Sequence, residues 1–102
     1  MNISDRLRKQ TICQFSGMTV DMDYLLCIPS VHAKYQDDDI VVDFCGEIRS
    51  ISDSFPREKA RLLIQWVSLH KAEIMINHHK IGHNIEPLIM IEPLDTSILS
   101  NH

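Results

Sequence analysis

Residues 48–70 read IRSISDSFPREKARLLIQWVSLH, and the spacing of their apolar positions changes partway along. Up to Ile51 the pattern is that of a short extended strand, Glu47 to Ile51. Ser52, Asp53 and Ser54 then offer N-capping side chains, and Pro56 suits a first helical turn. From Arg57 to about Lys80 the apolar residues fall at helical spacing. Leu63, Val67, His70 and Ile74 form one row, and Leu62, Trp66, Leu69 and Ile76 widen it. Glu58, Arg61, Gln65, Ser68 and Lys71 take the opposite side. One long helix follows, closed by Gly82.

Upstream of this switch the period is two. Met18, Val20, Met22 and Tyr24 alternate with Thr19, Asp21 and Asp23, as in a strand with one buried face. Val31, Ala33 and Tyr35 alternate with His32, Lys34 and Gln36 in a second strand. Asp37-Asp38-Asp39 reads as a turn, Ile40 to Phe44 as a third strand, and Cys45-Gly46 as the next turn. Short turns between successive strands imply an antiparallel meander. The expected fold is α+β in two layers: a meander of about four strands over residues 17–51, packed under one long C-terminal helix of residues 56–80. Leu63, Val67 and Ile74 should be buried with Val20, Met22, Val42 and Phe44.

The flanks carry weaker patterns. Residues 1–14 are polar and irregular and read as a loosely ordered arm, 15–94 as a single domain, and 95–102 as a frayed tail. Within the domain, Ile85-Glu86-Pro87-Leu88 recurs as Ile91-Glu92-Pro93-Leu94. Its prolines forbid central strand positions, so an extended segment over the core or along a sheet edge is expected.

Composition narrows function. At 102 residues the chain matches one ordinary domain. Its formal net charge of −4 argues against a partner held mainly through phosphates. Cys13, Cys27 and Cys45 are odd in number, and no two form C-x-x-C, so free thiols in a reducing cytoplasm are expected. No apolar run approaches the ~18 residues of a membrane span, and the first fifteen residues hold no secretory apolar stretch.

The order of several short motifs resembles the bacterial and archaeal family known as domain of unknown function 4160. The similar pieces are Phe15 to Met22, His32 to Gln36, Phe55-Pro56 with Arg61 to His70, then Glu73-Ile74 and Asn77, and finally Ile91 to Leu94. The resemblance implies genes that sit in two-gene pairs suspected to be toxin–antitoxin modules. It also implies a His-x-x-Pro-His-apolar-His motif. Here that stretch reads Leu26-Cys27-Ile28-Pro29-Ser30-Val31-His32, with two of the three histidines replaced.

Several residues are candidates for chemistry. His32 is a candidate general base that needs a second group to orient it, and Asp43 is the expected approach across the sheet. His78, His79 and His83 resemble a metal cluster, but Gly82 interrupts them and no acidic residue lies at a matching position; a polar helix end is the better reading. Trp66 and His70 are expected in the core with their ring nitrogens hydrogen-bonded. Asp37 to Asp39 offer too few alternating ligands for calcium. No metal and no cofactor are therefore expected.

Two functions remain. The first is a small non-enzymatic protein-interaction domain, one component of a toxin–antitoxin-like pair or a mobile-element factor that blocks a host system. Its contact would involve Leu25, Leu26, Cys27 and Ile28, an apolar loop that the helix has no room to cover, together with His32 and Lys34. The partner would be another protein or a second copy. The alternative is a small ribonuclease-like toxin using His32, Lys34, Tyr35 and Arg49, which requires a basic concave face.

Overall fold

The computed structural model describes residues 10–23 and 27–94. Alternation of apolar and polar side chains produces a five-stranded antiparallel meander in sequence order. Its strands are β1 (Thr11–Phe15), β2 (Met18–Asp23), β3 (Ser30–Tyr35), β4 (Asp38–Asp43) and β5 (Ile48–Ile51). Two helices follow, α1 (Arg57–Leu69) and α2 (Lys71–Gly82). The α+β meander under a helical layer is as expected. The strand count is five rather than four, and the helix is divided in two.

The extra strand is β1, which lies in the stretch read as an arm except for Phe15. It was hidden because the β1–β2 register shifts between Thr11 and Cys13. Such a bulge breaks strict alternation, and here Ile12 and Cys13 are both buried. The β1–β2 hairpin turns through Ser16 (φ 54°) and Gly17 (φ 80°). Gly17 is required twice over: its φ is left-handed, and a Cβ there would lie 2.9 Å from Tyr35 Cε1. The β3–β4 turn runs through Gln36 (φ 55°) and Asp37, so Asp38 and Asp39 open β4 rather than forming the turn.

The helix breaks at His70, which is both the C-cap of α1 and the N-cap of α2. The sequence pattern does not register the break. Leu63, Val67, Ile74 and Ile81 keep their three-and-four spacing across it, and all four are buried. The widening row does not persist: Trp66 is buried, but Leu69 and Ile76 are exposed. The serines before α1 do not cap it. Ser52 Oγ accepts the Asp39 N–H (2.9 Å) and Ser54 Oγ donates to Asp38 (2.7 Å), which ties the linker to β4. Pro56 is the N-cap.

The core lies between the inner sheet face and the helices. Val20, Met22, Val31, Ala33, Ile40 and Val42 meet Leu63, Trp66, Val67 and Ile74, with Phe44 partly buried at the margin. The segment after α2 lies extended along β1: Ile91 N–H donates to Ile12 O (2.9 Å), and Gln10 bonds Leu88 through its side chain. Asn77, fully buried, clamps Ile89 by donating to its carbonyl (3.0 Å) and accepting its N–H (2.7 Å). Trp66 Nε1–H donates to Glu92 O (2.8 Å). Residues 1–9, 24–26 and 95–102, and with them most of the supposed arm and the frayed tail, lie outside the described residues. Among those described, no helix is long and apolar enough to cross a membrane.

Candidate functional site on the outer sheet face

The sheet face turned away from the helices carries the outward-facing, mostly polar members of each alternating strand. Thr19, Asp21 and Asp23 come from β2, Ser30, His32 and Lys34 from β3, and Asp39, Val41 and Asp43 from β4. Register aligns them in rows across the sheet: Thr19, Lys34 and Asp39; Asp21, His32 and Val41; Asp23, Ser30 and Asp43.

His32 sits between two carboxylates. Its Nδ1–H donates to Asp21 Oδ1 (3.0 Å), directly opposite on β2, and its Nε2–H donates to Asp39 Oδ1 (2.6 Å), diagonally across on β4. The hydrogen bond that the ring donates to Asp21 pushes its pKa up to about 9, against the opposing effect of burial, and Asp39 adds to the rise. At neutral pH the ring is an imidazolium with both N–H groups engaged. It has no lone pair with which to accept a proton, which is what a general base requires.

The expected partner of His32, Asp43, is used elsewhere. Its buried carboxylate accepts the N–H groups of Cys45 (2.9 Å) and Glu47 (3.0 Å) and pairs with Arg49 Nε at 2.8 Å. Burial opposes its ionisation. The Glu47 N–H, the Arg49 guanidinium and the Cys45 N–H together outweigh burial and hold the carboxyl below its ordinary value. Asp43 therefore shapes the β4–β5 turn. Arg49 is committed to it, with Glu47 at 3.8 Å as a weaker partner.

The other proposed residues separate. Lys34 is exposed on the outer face beside His32. Tyr35 points to the opposite face, near Phe55, with Lys59 Nζ 5.1 Å from its ring centre. The set His32, Lys34, Tyr35 and Arg49 does not converge. Cys27 is exposed and Ile28 half-buried at the same end of the face as Ser30; Leu25 and Leu26 lie outside the described residues. Trp66 and His70 lie in the helical layer with their rings tilted against each other at 5.6 Å, each with a ring nitrogen bonded, His70 Nδ1 to Glu73 at 3.0 Å. The rings of His79 and His83 meet at a tilt, 4.2 Å apart, at the end of α2, which runs through Gly82 instead of stopping before it. Among the described residues no three side chains of His, Cys, Asp or Glu are grouped to hold a metal ion.

Sequence reasoning missed both carboxylates of His32. The signal lay in register: closing the β3–β4 turn at Gln36-Asp37 sets Asp39 opposite Lys34, one step from His32, and Asp21 falls opposite His32 once β2 and β3 pair.

No curated protein and no solved structure matches the chain. The family model described as domain of unknown function (DUF4160) matches residues 27–79, just over half of the chain. The match holds β3, β4, β5, α1 and most of α2, and with them His32, Asp39 and Asp43. The chain belongs to the DUF4160 family.

Proposed function

We propose that this protein is a non-enzymatic interaction domain of the cytoplasm whose outer sheet face, together with residues 25–28 of the sequence, is the contact surface for another protein. The observation that carries this reading is the Asp21–His32–Asp39 clamp. An imidazolium fixed at both nitrogens presents an ordered pattern of charge on a sheet face and does not shuttle protons. The face mixes acidic and basic groups instead of forming the basic groove that RNA would need, which counts against the ribonuclease alternative. The three free thiols fit a reducing compartment. Membership of a toxin–antitoxin-like pair, or action as a mobile-element factor that blocks a host system, fits this mode of action.

Co-purification from the native host, with the partner identified by mass spectrometry and then made recombinantly, provides the test. The double variant Ile28→Ser with Lys34→Glu should weaken binding at least about tenfold by calorimetry, a loss of roughly 1.4 kcal/mol, with the thermal midpoint little changed. Unchanged affinity would place the contact elsewhere.

A further inference from the structure

Strand β5 ends the sheet on one side, and among the described residues no strand lies beyond it. Its pairing with β4 sets Ile51 opposite Ile40, Ser50 opposite Val41 and Ile48 opposite Val42, so Arg49 is the extra residue of a bulge. Ile40 and Val42 belong to the core, and directly opposed side chains share a face. Both isoleucines therefore lie on the core side of the sheet. The helical layer packs on β4 but leaves each of them 44% exposed. Their backbone groups point outward as well. Ser52 N–H donates to Asp39 O and Asp43 N–H donates to Glu47 O, both at 2.9 Å, so Ser52 and Glu47 face β4. Alternation turns the N–H and C=O of their neighbours, Ile51 and Ile48, to the open edge. Natural edges are commonly guarded by a lysine, a proline or an inward-pointing charge. The one charge of β5, Arg49, lies on the outer face, held by Asp43 at 2.8 Å.

We infer that β5 is a self-pairing edge, through which two copies of this chain join their sheets antiparallel about a two-fold axis between Arg49 and Ser50. The bulge selects the occupant. It places two outward-directed apolar positions on one face three residues apart, whereas a regular strand presents such positions two apart. A regular strand can match one isoleucine but not both. A strand with the same bulge matches both, and a second copy supplies it. In that register Ile48 meets Ile51 of the second copy, and each satisfies the other's N–H and C=O. Arg49 meets Ser50, so no like charges stand opposite each other. The contact is isologous, the same patch on both copies. It is independent of the outer-face contact proposed above and leaves that face open to another protein.

Sedimentation equilibrium of the full chain should show a monomer–dimer equilibrium with a dissociation constant at or below about 1 mM. Ile51→Pro removes a donor that β4 does not use, a change that an edge strand tolerates. Ile48→Thr with Ile51→Thr removes the apolar contact and keeps β-branched side chains. Each variant should weaken dimerisation at least about tenfold, with the circular dichroism spectrum unchanged. In a mixture of isotope-labelled and unlabelled wild type, filtered NOE spectra should connect Ile48 of one copy with Ile51 of the other. A chain that stays monomeric at about 1 mM overturns the inference. So does a dimer that lacks those NOEs or survives the threonine variant, because its contact then lies on another surface. Protection of the Ile48 and Ile51 amides from hydrogen exchange only after the co-purified partner is added would assign the edge to a foreign strand, and would overturn it too. Where a variant fails to fold, the wild-type NOEs decide.

Discussion

His32 gives the fold a pH dependence whose sign follows from its two carboxylates. Its folded pKa of about 9 lies above the ordinary 6.5. The stabilisation is therefore fully present below about pH 6.5 and is lost as pH rises through 9. With its side chain 31% exposed, screening reduces the contribution to about 1–2 kcal/mol. Urea unfolding of the wild type should thus show stability falling between pH 6.5 and 9.5, and His32→Gln should flatten that slope. The thiols give a second check. Burial pushes the Cys13 thiol up to about 11, whereas Cys27 and Cys45 are exposed. Iodoacetamide at pH 8 should alkylate two cysteines in the native protein and three in urea. At Gly17, alanine meets both a left-handed φ and the Tyr35 ring, and should cost about 1–3 kcal/mol in thermal unfolding.

Among the elements, β2, β3 and the helical region were legible because one face of each is buried and the other solvated, so burial writes a period into the sequence. β1 was not, because a bulge turns Ile12 and Cys13 inward together. The break at His70 leaves no trace because the buried row keeps its spacing through it. The candidate site was half legible. His32 and Lys34 stood out as residues, but what surrounds His32 depends on which strands pair and in what register, and a single strand does not record that. The same holds for Asn77, which reads as a polar interruption in a helix yet serves as the strand-like partner of Ile89. Asn77→Leu leaves the Ile89 N–H and C=O unpaired against the core and should cost about 2–4 kcal/mol. Hydrogen exchange should then speed at Ile89 and Ile91 before it does in β3. Trp66→Phe, which keeps the ring but drops the donor to Glu92 O, should cost about 1–2 kcal/mol by the same assay.

At the scale of the whole molecule, the sheet is asymmetric at its two edges. The β1 edge is occupied at Ile12 by the segment that follows α2, while β5 has all four residues exposed, Ile48 and Ile51 among them. A sheet that adds strands at both edges polymerises; one that adds them at a single edge does not. A second copy arriving at β5 would pair and leave no further edge of that kind, and one arriving at β1 would meet residues 88–91. The bond between Ile91 and Ile12 thereby acts as a stop on the β1 side, and among the described residues it leaves β5 as the edge that an added strand would extend.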